Sequence, residues 1–275
     1  MPKIPNCNVD LSWRRYVPKP HPEGLRFILP AAFISIILTG LSESGVVGFT
    51  CFLITLGIYL FFRDPERVTP EGKNLVIAPA DGVICQIKKT TPPPELKMGN
   101  KEMTKIAIFM SVLNVHVNRN PVSGKVIQTE YVPGKFINVA RDEASLDNER
   151  QIILIETPEK QKIVCVQIAG LVARRIVCPL KAGDAVERGK RFGMIRFGSR
   201  LEVYVPEGTP LNVIEGQLTV AGETVLAHLN PSASVVKAIE KPIVKKAEMP
   251  ATKAEEKPVK KEKNPAKKKI AKKGK

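Results

Sequence analysis

Zinc-ligand spacing, a complete disulfide framework and a hydrolase serine elbow are all missing from this 275-residue chain. Its five cysteines, Cys7, Cys51, Cys85, Cys165 and Cys178, are odd in number and show no CxxC pair, so no metal site is expected and a reducing compartment is the simplest reading. Cys51 lies in an apolar run and Cys85 and Cys165 in β-like ones, which predicts buried, inert thiols. The segment Phe197-Gly198-Ser199-Arg200-Leu201 departs from Gly-x-Ser-x-Gly, which argues against an ordinary serine hydrolase. Acidic residues are also scarce, 27 against 43 Lys and Arg, for a net charge of +16. Fifteen Lys and five Glu between Lys237 and Lys275 put +10 of that charge in the tail. With no aromatic residue, this stretch cannot bury enough surface to fold alone and is expected to be disordered. It either solubilises passively or leans on anionic lipid headgroups; nucleic acid is the less favoured partner.

What is present begins with two nearly charge-free apolar runs, Phe27 to Leu41 and Val46 to Phe62, separated by Leu41-Ser42-Glu43-Ser44-Gly45. At 15 and 17 residues, they predict a membrane-anchoring helical hairpin, either two short spans or a shallow re-entrant one. Arg14, Arg15, Lys19 and Arg26 precede it, and Arg63, Arg67 and Lys73 follow it, so both ends belong on the cytoplasmic face of a cell membrane.

From residue 63 to 236 the chain changes to short Val- and Ile-rich runs punctuated by Gly and Pro. Strands are predicted at Leu75–Ala78, Val83–Ile87, Ile106–Met110, Lys125–Val132, Gln151–Glu156, Lys162–Ile168, Arg174–Val177 and Leu201–Val205. The fold class is therefore mainly β, an antiparallel sandwich or barrel, with one short helix expected around Asn138 to Leu146. Lys181 to Gly189 and Glu215 to Glu223 share a glycine-bounded turn pattern resembling biotinyl- and lipoyl-type hammerhead folds, so Asp184 and Glu223 read as turn residues. The organisation is a leader (1–24), the hairpin (25–62), a catalytic β domain (63–236) and the tail (237–275).

Three chemically apt residues sit beside strand-like runs: Asp81 in Pro79-Ala80-Asp81-Gly82, His116 in Val115-His116-Val117-Asn118-Arg119, and Ser199 after Gly198. A serine is a feeble nucleophile until an imidazole takes its proton, and a carboxylate commonly orients that imidazole. From spacing, an Asp81–His116 pairing is plausible, although Asp-Gly is equally a turn signal and His116 equally a satisfied core residue.

Five motifs raise these residues above their neighbours: Phe61-Phe62-Arg63-Asp64-Pro65, Ala78-Pro79-Ala80-Asp81-Gly82, Asn114-Val115-His116-Val117-Asn118-Arg119, Asn148-Glu149-Arg150 and Arg196-Phe197-Gly198-Ser199-Arg200. In this order, and from about residue 13 to 230, the chain resembles the phosphatidylserine decarboxylase family in its short, archaeal-type-like form. The resemblance implies a proenzyme that cuts itself between Gly198 and Ser199, using Asp81, His116 and Ser199, and converts Ser199 into a covalent pyruvoyl group. Implied partners are a phospholipid substrate, the membrane, the chains 1–198 and 199–275 held to one another, and a possible homodimer.

Next to the catalytic positions, Asn118, Arg119 and Arg200 either hold substrate phosphate or carboxylate or serve as structural ion-pair partners. Longer family members carry a second histidine three residues before the catalytic one; Leu113 stands there instead. The competing non-enzyme reading is a membrane-tethered, biotinyl-like module whose basic tail binds lipid or nucleic acid.

Overall fold

The computed structural model describes residues 17–42, 44–136, 147–170, 175–196 and 199–229. The helix expected near residues 138–146, the start of the strand expected at Arg174, Gly198 and the Lys-rich tail lie outside the described residues.

Helix α1 (Pro22–Leu41) and helix α2 (Gly45–Phe61) form the antiparallel hairpin. α1 starts five residues before the apolar run because Pro22 suits a first turn and the His21 ring nitrogen accepts from the Glu23 N–H at 3.2 Å. That extension makes α1 20 residues, long and apolar enough to cross a membrane, and only 6% of its apolar window is buried against the rest of the chain. A core helix would be mostly covered. The two helices meet through small residues: the Ser35 hydroxyl lies 2.9 Å from that of Thr55, and a Cβ on Gly48 would come within 2.9 Å of Thr39.

The rest is β structure. Its strands are β1 (Leu75–Ile77), β2 (Gly82–Thr90), β3 (Met103–Met110), β4 (Val117–Arg119), β5 (Gly124–Val132), β6 (Arg150–Glu156) and β7 (Lys162–Ala169), followed by β8 (Ile176–Val177), β9 (Ala185–Val186), β10 (Arg191–Ile195), β11 (Ser199–Pro206), β12 (Leu218–Thr219) and β13 (Val225–His228). Eight strands make one antiparallel sheet in the order β12-β2-β3-β11-β7-β6-β5-β9. β4-β10-β8 form a second sheet and β1-β13 a ribbon. Ile84 of β2, Val126 of β5 and Val186 of β9 share a single core with Ile108 and Leu201, so the large sheet curls its ends around one apolar interior. Its end strands do not pair, so it forms a half-barrel where a closed barrel was one of the two architectures expected.

Alternation of side chains gives this sheet two dry faces. Ile106, Ile108, Met110, Leu201 and Val203 point inward, whereas Ile152, Val164, Val166, Ile168 and Tyr204 point outward beneath a short 3-10 turn, Pro94–Leu96. The glycine-bounded segments make turns, with positive φ at Gly183, Gly189, Gly216 and Gly222. Asp184 accepts from the Lys181 N–H at 2.8 Å and Glu223 from the Val68 N–H at 3.0 Å, which are turn and tether roles. Cys165 is fully buried, but Cys85 is exposed, contrary to expectation, because the β2–β3 register shifts between Ile84 and Gln86 and turns it outward.

Candidate active site

β11 is a central strand, and Ser199 is its first residue, opposite Met110 of β3 on one side and Ala169 of β7 on the other. Its side chain is fully buried on the inward face, and its hydroxyl donates to the Met110 sulfur at 3.3 Å. The preceding strand, β10, belongs to the small sheet, so the chain changes sheets immediately before Ser199. β10 pairs with β4, and the Ile195 N–H donates to the His116 carbonyl at 3.3 Å. This crossing between sheets brings residues 83 positions apart to one end of the barrel.

His116 is fully buried, its ring 4.2 Å from that of Phe61 at the end of α2. Nδ1 lies 2.9 Å from the Asn114 carbonyl, which can only accept, so Nδ1 carries the proton. Nε2 is left as a buried lone pair with no hydrogen-bond partner among the described residues. Burial pushes the imidazole pKa down to about 4, against the Asn114 hydrogen bond that raises it. The ring is thus neutral at physiological pH, with the proton-accepting nitrogen unoccupied.

Asp81 does not supply the carboxylate expected behind that imidazole. Its Oδ2 accepts from Arg67 at 2.8 Å and its Oδ1 from the Ala221 N–H at 2.7 Å, and no hydrogen bond joins it to His116 among the described residues. Burial raises its pKa, opposed by the Ala221 N–H and Arg67. The Arg119 N–H donates to the Pro79 carbonyl at 2.9 Å, so the Asp81 turn is docked beside β4 and the histidine loop.

The three tentative substrate residues separate. Asn118 is fully buried: its amide nitrogen lies 3.9 Å from the Met110 sulfur and its oxygen accepts from Gln167 at 2.8 Å. Arg119 clamps the carbonyls of Gly189 (2.9 Å) and Pro65 (2.8 Å) and lies 3.6 Å from Asp64, the structural alternative. Arg200 follows Ser199 along the strand and therefore faces outward, pairing with Glu202 at 3.0 Å. Lys105 and Tyr204 converge on that same buried carboxylate, at 3.2 and 2.7 Å.

Gln167 was not foreseen. It lies opposite Leu201, two residues along from Ser199 on the inward face, fully buried, and its Oε1 has no hydrogen-bond partner among the described residues. A lone glutamine in the β-like run Lys162–Ile168 was the only available signal. The Asn148-Glu149-Arg150 motif supports the same place: Asn148 donates to the carbonyl of Ala169, the residue opposite Ser199, at 2.8 Å. Arg150 pairs with Glu95 on the outer face. Phe61 to Pro65 is the joint of hairpin and barrel, with Phe61 on His116, Asp64 on Arg191 at 2.6 Å and the Pro65 carbonyl on Arg119.

A buried serine at a strand start with an amide cluster beside it, and a neutral imidazole with an open lone pair, suit proton removal from a hydroxyl in a water-poor setting. A family model described as phosphatidylserine decarboxylase matches residues 54–227. The phosphatidylserine decarboxylase proenzyme of Rickettsia felis is 50% identical over 208 residues, 75% of this chain and 89% of its own length. That of Ruegeria pomeroyi is 51% identical over 209 residues, 76% of this chain and 94% of its own. The family match takes in Asp81, His116 and Ser199 alike, and on this likeness, sustained through the whole β region, the chain belongs to the phosphatidylserine decarboxylase family.

Proposed function

We propose that this chain is a proenzyme that cuts itself between Gly198 and Ser199, and that the product decarboxylates phosphatidylserine to phosphatidylethanolamine and CO2. The observation that carries the reading is the presence in one site of a fully buried Ser199 and a neutral His116 whose Nε2 has no hydrogen-bond partner among the described residues, in a chain 50% identical over 75% of its length to a named proenzyme.

In self-cleavage, Nε2 of His116 takes the Ser199 hydroxyl proton as the oxygen bonds to the Gly198 carbonyl carbon. The carbon–nitrogen bond breaks and leaves an ester, with the proton returned to the Ser199 nitrogen. Loss of the Ser199 α-proton then expels the Gly198 carboxylate, and water replaces the nitrogen as ammonia, leaving a pyruvoyl group at residue 199. The residues present fit such a group. The Asn118 amide nitrogen, with only the weakly accepting Met110 sulfur near it among the described residues, can donate to a ketone oxygen on residue 199, whereas the orphan Gln167 Oε1, which only accepts, suits an N–H of the substrate. A ketone there supplies a sink for the electron pair released as CO2 departs.

In the second reaction, Nε2 of His116 takes a proton from the substrate ammonium group as its nitrogen becomes a nucleophile and returns that proton to the substrate α-carbon, and burial of the site strips water from the substrate carboxylate. Asp81 acts in cleavage through the turn it fixes with Arg67 and Ala221 rather than through a bond to the imidazole. Of the three tentative substrate residues we keep Asn118. The chains 1–198 and 199–275 stay together because β11 is paired with β3 and β7 on both sides. Leu113, in place of a second histidine, supports the short, archaeal-type-like form, and the turn pattern supports hammerhead elements within the barrel. Segments 1–24, 25–62, 63–236 and 237–275 serve as leader, anchor, catalytic domain and tail, and the catalytic domain faces the cytoplasm. No observation favours the binding-module or intact-hydrolase readings.

Denaturing mass spectrometry of wild type and Ser199→Ala tests the proposal. Two wild-type fragments dividing at Gly198/Ser199, the smaller blocked to N-terminal sequencing, and a single mass with no decarboxylation for Ser199→Ala are the expected result. An uncut, folded wild type, or full activity in the variant, overturns it.

A further inference from the structure

The turn between β3 and β4, Ser111-Val112-Leu113-Asn114, has an apolar tip on a self-satisfied polar base. Val112 is 56% and Leu113 83% exposed, although both follow the fully buried Met110. Beneath them, the Ser111 N–H and hydroxyl donate to Asn114 Oδ1 at 2.9 and 2.8 Å, and the Asn114 N–H donates back to the Ser111 carbonyl at 2.9 Å. The Leu113 carbonyl accepts from Arg63 at 2.7 Å and the Asn114 carbonyl from His116. These groups at the base of the turn therefore need no water, while the Val112 and Leu113 N–H groups have no hydrogen-bond partner among the described residues. Such a segment suits the hydrated edge of a hydrocarbon layer and not its interior, where an unsatisfied amide is costly.

Position decides what such a tip meets. Arg63 holds the turn to α2, donating also to the Leu60 carbonyl at 2.6 Å, and Phe61 packs on His116 at the foot of the turn. Leu60 is itself exposed, as are Leu53 and Ile54 further along α2, so the tip continues the uncovered apolar surface of the hairpin at its barrel end. We propose that Val112 and Leu113 form a second membrane contact, seated where lipid headgroups meet acyl chains, and that this contact sets the turn carrying His116 at the bilayer surface. Arg63 suits that depth, with an aliphatic stem among apolar residues and a cationic head at phosphate level. The occupant is the lipid bilayer. A second copy of the chain is the alternative, and the experiment separates the two.

The test uses the full-length protein in bilayers, with Trp13, its sole tryptophan, replaced by Phe and a reporter introduced as Leu113→Trp. Leu53→Trp in α2 is the buried-in-lipid reference, and Leu218→Trp, exposed on the edge strand β12, the aqueous one. Vesicles of phosphatidylcholine brominated near the headgroup end of the acyl chains should quench and blue-shift Leu113→Trp while sparing Leu218→Trp. Quenching no greater than that of Leu218→Trp overturns the proposal, and so does lipid-independent cross-linking between copies through Leu113→Cys. Should Leu113→Trp fail to fold, Val112→Trp is read the same way. A kinetic arm rests on the decarboxylase reading: Leu113→Ser should raise KM for phosphatidylserine in vesicles about tenfold, the equivalent of ~1.4 kcal/mol. Turnover of a short-chain, water-soluble phosphatidylserine should not change. An inactive wild type would count against that reading alone, because quenching needs no turnover.

Discussion

His116 is the residue whose environment can be most directly tested. In the unfolded chain its imidazole takes a proton near the ordinary value of 6.5, while in the fold it stays neutral down to about 4. Between those values the unfolded state binds more protons, so stability is full above the upper value and falls as pH drops through the window. From pH 7.5 to 5, His116 should account for a loss of about 2 kcal/mol. Urea unfolding of wild type and His116→Gln at both pH values measures this, and a variant whose stability falls as steeply as wild type would contradict it. Self-cleavage, needing the neutral ring, should be flat from pH 6 to 8 and fail toward 4.

The motifs that resemble the decarboxylase family pointed to Asp81, His116 and Ser199, but not to their contacts. Asp81 turned to Arg67 and Ala221 because a buried carboxylate takes the nearest cation and amide, and the amide comes from a segment 140 residues away. The inward or outward side of β11 separated Ser199 from Arg200, a distinction that becomes meaningful only once a strand has two buried faces.

At the scale of elements, the eight predicted strands correspond to β1, β2, β3, β5, β6, β7, β8 and β11, because Val- and Ile-rich runs bounded by Gly and Pro are a local signal. β4, β9, β10, β12 and β13 were missed. They span two to five residues each and owe their existence to partners rather than to composition. Gly82 shows what holds one predicted pair together: a Cβ there would lie 2.2 Å from the Phe109 carbonyl oxygen, across the β2–β3 ladder. Gly82→Ala should cost about 1–3 kcal/mol. Gly57→Ala, where nothing lies within 4 Å, should cost nothing measurable. Thermal melts of the two variants give the comparison, and equal melting temperatures would dismiss the close-packing argument.

For the whole molecule, hairpin and barrel meet at Phe61 to Pro65, and the described core ends at Leu229. Removing residues 237–275 should therefore leave self-cleavage at Ser199 and the melting temperature unchanged, as gel electrophoresis and calorimetry would report. A truncated chain that no longer cuts itself would assign the tail a role in the site. Composition and periodicity by themselves determined the apolar hairpin and the β character of the body, since each depends on residues adjacent in the chain, while the candidate nucleophile and base were singled out by the motifs that resemble the decarboxylase family. Tertiary structure alone decided that β10 and β11 belong to different sheets, that Gln167 and Asn118 lie beside Ser199, and that the His116 Nε2 has no partner among the described residues. Those features depend on strand pairing and burial between segments tens of residues apart, which no local run of sequence encodes.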